Sequence, residues 1–342
     1  MSNELTSKTD LIQFGNSTSK WVVEPYSQEE KFALKIKEII FANNSLFQTI
    51  EIYDTYALGK VLFLDGAIQM AEYDEFVYHE SLCHPALIHH PNPEKVCILG
   101  GGECFTAREV LKHNNVKSVY MVDLDEMVIN VCREHLHDGN EIFADPRLKI
   151  VIGDAAEVLE KQGKFDVIIA DLPDPFAGGP CFELYTKEFY QNLMENNLTE
   201  EGIFVTQSYS VDLDEKGHKT FTAIHNTLEQ IFPQVIPYRV HIPSFLGDYG
   251  FNLCLKSPKK VIDYTIFDHH LKNKIQGNLK YLDGEAWNGM IKLNKILRKS
   301  LREETTIYTK EQPPNIIFGK QSSEFSDQDN SNQSSLFRLI TT

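Results

Sequence analysis

Apolar and polar positions change rhythm along the chain. From Trp21 to about Glu72 they alternate around turn signals. The runs LFQTIEIYDT and KVLFLDGAIQMA read as strands, separated at Ala57-Leu58-Gly59 and broken at Asp65-Gly66. This predicts a small antiparallel β domain over 21–75. FVYHESLCHPALIHH (76–90) then takes helical spacing and ends at Pro91. Beyond it come short apolar runs: VCIL (96–99), SVYMVDLD (118–125), LKIVIGD (148–154), FDVIIADLPD (165–174) and GIFVTQSY (202–209), with helical segments such as FTAREVLKHN between them. Strands alternating with helices of this length predict a parallel sheet covered on both faces. The fold class is therefore α/β, a doubly wound Rossmann-like domain over 76–257 behind the β domain.

The two ends differ. Residues 1–20, rich in Ser, Thr and Asn, read as a flexible arm. After Pro258 the pattern weakens into an extension (258–320) that includes YLDGEAW and a Lys-rich stretch near LNKILRKSLREE. The Ser/Asp/Gln-rich residues 321–342 read as a disordered tail.

Composition narrows the class. A chain of 342 residues, 42% hydrophobic and 24% charged, has room for a large core and an ordinary surface. No apolar stretch approaches the ~20 residues that cross a bilayer, and the first residues lack the pattern of a secretory signal. Cys83, Cys97, Cys104, Cys132, Cys181 and Cys254 form no C-x-x-C pair, and several lie in apolar runs where a thiol acts as a small hydrophobe. A reducing, cytoplasmic setting and no membrane contact are expected. With 33 Lys+Arg against 49 Asp+Glu the formal charge is −16, which repels nucleic acid and attracts cations. Solubility alone would use the same charge.

Ligands of an open parallel sheet bind at the carboxyl ends of its strands. Acidic residues stand at four such ends: Glu103, Asp123, Asp154, and Asp171 with Asp174. Gly100, Gly101 and Gly102 follow a strand and precede a helix, so the backbone can turn sharply against a ligand. They lack the G-x-G-x-x-G spacing of a pyrophosphate cradle, and a plain βα turn would carry the same glycines. Asp123 ends the next strand, where a carboxylate accepts hydrogen bonds from both ribose hydroxyls; helix capping suits Asp125 better. Asp154 is placed to take an adenine amino group. A solvated turn could also read D-L-P-D-P. At the end of a central strand, however, Asp171 among like charges would have a raised pKa, which suits a general base. His79, His84, His89 and His90 lack zinc spacing and read mostly as surface or packing residues.

These residues resemble the polyamine aminopropyltransferases, the family of spermidine, spermine and thermospermine synthases. The matching segments are GKVLFLDGAIQMAEYDEFVYHE (59–80), KVCILGGGECFTAREVLKH (95–113), MVDLDEMV (121–128), VIGDA (151–155), FDVIIADLPDP (165–175) and GIFVTQS (202–208). The resemblance covers most of 45–255. It implies a β domain followed by a catalytic domain of class I methyltransferase type. It implies decarboxylated S-adenosylmethionine as co-substrate, a polyamine acceptor, and a homodimer or homotetramer. Gln48 and His79 would contact the donor, with Asp123 on its ribose and Asp154-Ala155 around its adenine. Glu103 would bind the amino group of its propyl arm. Asp171 would accept the proton, and Asp174 and Tyr78 would help hold the acceptor. Two positions depart from the family: Cys104 stands where a small Gly is usual, and Phe245 replaces a Tyr, removing a hydroxyl from the acceptor pocket. GGGE, DPFAGGPCFELYTKEFY (174–190), HIPSF (241–245) and YLDG (281–284) look like the thermospermine synthase subgroup.

The implied reaction is a direct displacement at carbon in which a sulfonium leaves as a neutral thioether, so no metal is called for. Spermidine as acceptor would give thermospermine, with spermine or spermidine synthesis as the nearest alternatives. A methyltransferase of the same fold would have to seat the methionine carboxylate against Glu103. A non-catalytic polyamine-binding protein of the same fold is the other alternative, and the presence of both Asp171 and Asp174 argues against it.

Overall fold

The computed structural model describes residues 11–12, 20–25, 30–137, 139, 141–175, 181–211, 217–259 and 261–316. The 321–342 tail and Gly178-Gly179-Pro180 lie outside the described residues. So does most of the 1–20 arm, of which Leu11–Ile12 pairs with Trp21-Val22.

Six strands form an antiparallel N-terminal sheet in chain order. They are β1 (Leu11–Ile12), β2 (Trp21–Pro25), β3 (Lys31–Asn44), β4 (Thr49–Thr55), β5 (Gly59–Leu64) and β6 (Ala67–Ala71). Asp65 and Gly66, both at positive φ, make the β5–β6 turn. The helix α1 (Glu75–His89) leads into the second sheet. That sheet takes β7 (Lys95–Gly100), α2 (Phe105–Leu111), β8 (Ser118–Asp123), α3 (Glu126–His135), α4 (Glu141–Ala144), β9 (Leu148–Ile152), α5 (Ala155–Gln162) and β10 (Phe165–Asp171). It continues through α6 (Lys187–Asn192), β11 (Leu198–Ser210), α7 (Gly217–Glu229), β12 (Gln234–Ile242) and β13 (Gly247–Leu255).

The second sheet runs β12-β13-β11-β10-β7-β8-β9. It is mixed where the sequence predicts an all-parallel one, because β13 lies antiparallel to both β11 and β12. Neighbouring residues of one strand feed opposite cores. Val96 and Ile98 pack under α1 and α2, whereas Cys97 and Leu99 pack under α5, α6 and α7. Burial on both sides explains the unbroken apolar runs. Chain order reverses between β7 and β10, which opens a crevice at their carboxyl ends.

The extension adds α8 (Tyr264–Lys274), α9 (Gly284–Met290) and α10 (Lys295–Glu303). Phe267 and Trp287 stack at 5.6 Å and close the core beneath α1. All six cysteines are free and buried, as their apolar settings predict. Among the described residues, no helix is long and apolar enough to cross a membrane.

Candidate active site

The glycine run decides how close β7 and β10 come. Gly100 and Gly101 have φ of +80° and +74°, and Gly101 N–H donates to the Asp171 carbonyl at 3.0 Å. A Cβ on Gly100 would sit 2.2 Å from that carbonyl oxygen, and one on Gly102 would sit 2.8 Å from Asp123 Oδ2. Glycine is thus required for Asp171 and Asp123 to lean on the same turn. Cys104 continues it at φ +66°, in the left-handed region, which gives a physical reason for glycine being usual there.

Asp171 ends β10 paired with Gly100. Its Oδ1 accepts from the Tyr78 hydroxyl at 2.7 Å and its Oδ2 from Thr106 Oγ1 at 2.5 Å. Burial and nearby Glu103 raise its pKa to about 7, against the opposing pull of His79 and the two hydroxyls. His79, one helix position beyond Tyr78, donates from Nε2 to Glu103 Oε1 at 3.0 Å and from Nδ1 to the Glu75 carbonyl at 2.6 Å. Burial works against a charge on this imidazole, but the hydrogen bonds to Glu103 and Glu75 win and raise its pKa to about 10. Burial would raise Glu103 as well; its bond to His79 holds it below the usual range. His79, Glu103 and Asp171 bring polar atoms within 4.8 Å of one another, and with His79 protonated and donating from both nitrogens the two carboxyl groups suit an organic cation.

Asp174 lies three residues further along the loop. Tyr249 donates its hydroxyl to Asp174 Oδ1 at 2.6 Å, and Gln207 Nε2 approaches the same oxygen at 3.3 Å. Burial raises Asp174 to about 6. Phe245 packs against Tyr249 and Tyr78, with ring centroids 5.0 and 6.0 Å away. Tyr249, four residues beyond Phe245, brings a hydroxyl to Asp174.

The nucleoside side is looser. Burial raises Asp123 to about 6, and its Oδ1 accepts from Asp125 N–H at 2.9 Å. Asp125 caps α3 through Met127 N–H and receives Gln48 Nε2 at 3.0 Å and Ser45 Oγ at 2.5 Å. Gln48 thereby ties the β3–β4 turn to the end of β8. Asp154 is exposed and caps α5 by accepting from Ala156 and Glu157 N–H, while Ala155 is buried. The structure thus gathers Tyr78, His79, the three glycines, Glu103, Asp123 and Asp171 at the switch crevice. Asp174 and Phe245 form one flank, and Gln48 and Asp154 stand at the other.

The sequence reading placed most of the histidines at the surface or in packing roles. All four near α1 are buried. His84 is pinned between Glu109 and His113 at 3.0 and 2.9 Å, which is how a buried imidazole stays satisfied. Thr106, Gln207, Tyr249 and Glu24 do not stand out in the sequence pattern. Glu24 sits on β2, 5% exposed, and burial with Asp174 nearby raises it to about 7 although Ile68 N–H donates to it. A glutamate inside the apolar run WVVE was the available signal.

Residues 75–264 match the spermine/spermidine synthase domain, and residues 20–72 match the spermidine synthase tetramerisation domain. The chain is 39% identical to a thermospermine synthase of Arabidopsis thaliana over 90% of its own length and 91% of the relative's. It is 40% identical to a polyamine aminopropyltransferase of Aeropyrum pernix over 83% and 91%. A solved spermidine synthase in complex with the transition-state analogue AdoDATO superimposes with a TM-score of 0.76 at 32% identity, covering 89% of this chain and 99% of that one. The chain belongs to the spermidine/spermine synthase family and is a polyamine aminopropyltransferase. That family draws on decarboxylated S-adenosylmethionine as co-substrate, and the N-terminal match points to an oligomer.

Proposed function

We propose that this enzyme transfers the aminopropyl group of decarboxylated S-adenosylmethionine to the terminal amine at the aminopropyl end of spermidine, giving thermospermine and methylthioadenosine. The observation that carries the chemistry is Asp171: a carboxylate at the switch crevice, raised to about 7, held by two hydroxyls and facing Glu103 and His79. An acceptor amine is protonated at neutral pH and cannot attack. Asp171 takes its proton, the freed lone pair forms the N–C bond, and the C–S electrons return to sulfur as a neutral thioether. A base with a pKa close to the working pH does this best. The remaining work is alignment, so no metal is assigned.

On this reading Asp123 takes the ribose hydroxyls and Asp154-Ala155 the adenine, with Gln48 and His79 completing the donor site. Glu103 meets the donor's ammonium; the carboxylate of full-length S-adenosylmethionine would be repelled there, which counts against methyl transfer. Tyr78 and Asp174 hold the acceptor, and Glu24, close enough to Asp174 to feel its charge, offers a carboxyl group toward the far end. Spermidine is favoured over a diamine by the 39% identical thermospermine synthase and by the Phe245–Tyr249–Tyr78 aromatic wall. Methylenes can lie on such a wall, with a cation–π contribution of roughly 0.5–2 kcal/mol. A homodimer or homotetramer working in the cytoplasm completes the proposal. The test is to supply donor with putrescine or with spermidine and separate the tetraamine isomers by chromatography. Thermospermine from spermidine is expected. Spermidine as the main product from putrescine refutes the acceptor, and spermine as the main tetraamine refutes the end attacked.

A further inference from the structure

Behind Glu103 stands a line of buried and half-buried ions that takes no part in the proton transfer. His79 joins Glu103 Oε1 on one side and Glu75 on the other, with Glu75 Oε2 3.2 Å from its Nδ1. Arg108 grips that same Glu75 with both arms of its guanidinium, Nη1 to Oε1 at 3.1 Å and Nη2 to Oε2 at 2.7 Å. Its Nε donates to Glu109 Oε1 at 2.7 Å, and the guanidinium lies 4.7 Å over the Phe105 ring. Glu109 is wholly buried and held in turn by Lys112 and His84. The far end of the line is therefore anchored in the core, and every member as far as Glu103 has a fixed partner on both sides.

A planar fork suits this task. Only a guanidinium presents a bidentate face to one carboxylate and a separate N–H to another. The Glu75 carbonyl at 2.6 Å and its fixed carboxylate at 3.2 Å together hold Nδ1 and leave His79 one ring orientation, and His79 so fixed leaves one orientation for the Glu103 carboxylate. A carboxylate ordered beforehand binds an ammonium without losing rotamer freedom at that moment. We propose that Arg108 is a positioning residue for the donor, acting through Glu75 and His79 to hold Glu103 where it receives the ammonium of the propyl arm. The proposal rests on the reading that Glu103 meets that ammonium. A role limited to neutralising two buried carboxylates would instead affect every ligand of the site alike.

The test compares two ligands by calorimetry: decarboxylated S-adenosylmethionine, and methylthioadenosine, which has the same nucleoside but no propylamine arm. Arg108→Lys keeps a positive charge beside Glu75 and Glu109 and removes the fork. The Kd of the donor should rise roughly ten-fold while that of methylthioadenosine moves less than about two-fold. Should the lysine variant fail to fold, Glu75→Gln, which keeps the shape but gives Arg108 no anion to grip, should show the same selectivity. Equal weakening of both ligands, or weakening of neither, overturns the proposal. Glu103→Gln separates the two levels. If it leaves donor affinity at the wild-type level, the reading of Glu103 is wrong. If it weakens the donor selectively and Arg108→Lys does not, the positioning role alone falls.

Discussion

Asp171 owes its titration to where β10 ends. Burial and Glu103 lift it from 3.8 to about 7, and Tyr78, Thr106 and His79 moderate the rise. Two consequences run in opposite directions across the same pH window. As the proposed base it works only when ionised, so kcat/KM should climb through about pH 7 and level off above about pH 8. The folded state meanwhile holds a proton that the unfolded chain has already released, so Asp171 contributes stability below its ordinary pKa that is lost as pH rises through about 7. Asp171→Asn removes that loss. Its melting temperature relative to wild type should therefore improve on going from about pH 5 to about pH 8. A constant difference would mean that Asp171 titrates normally. Asp171 was legible in the sequence as the acidic end of an apolar run. Cys104 was legible only as a departure; its left-handed φ, a cost of roughly 1–2 kcal/mol, is a backbone property that no side-chain pattern displays.

At the scale of elements, α1 carries Tyr78 and His79 into the crevice on one face and is strapped from behind by the extension. Glu80, 1% exposed, accepts the N–H groups of Lys280, Tyr281 and Leu282 at 2.8, 2.9 and 2.9 Å. The YLDG segment, which the sequence marked only as a subgroup feature, thus closes on a buried carboxylate of the catalytic helix. Glu80→Ala would leave three backbone donors unpaired and should cost about 2–4 kcal/mol, read as a fall in the urea midpoint. A loss under about 0.5 kcal/mol would show that the strap is not held here. The hairpin of β12 and β13 escaped the sequence reading for a physical reason. Pro237 lies inside β12, which a central strand would not tolerate but this sheet edge does. Without the hairpin the sequence shows no sign of Tyr249 and its hydroxyl on Asp174. The strands with unbroken apolar runs were legible because burial on both faces leaves no room for polar residues.

Across the whole molecule, a charge of −16 surrounds a crevice built from carboxylates, and the proposed donor and acceptor are both cations. Attraction at a distance is screened by salt, so raising it from about 50 mM to about 500 mM should increase the acceptor KM several-fold with little change in kcat. An unchanged KM would confine the electrostatics to the contacts themselves. The two sheets meet at this crevice: Ile50, Ile52, Leu62 and Met70 of the N-terminal sheet pack on Phe105, Val128 and Val131. That packing seats α2 and α3 on the N-terminal sheet, and α2 carries the Thr106 that bonds Asp171. The architecture therefore converges on a single proton, and its removal is most directly tested by single-turnover transfer in Asp171→Asn, with donor binding measured on the same preparation. The account predicts transfer slower by about 10²–10⁴-fold with donor affinity nearly unchanged. A transfer rate close to wild type, with the donor bound normally, would contradict it.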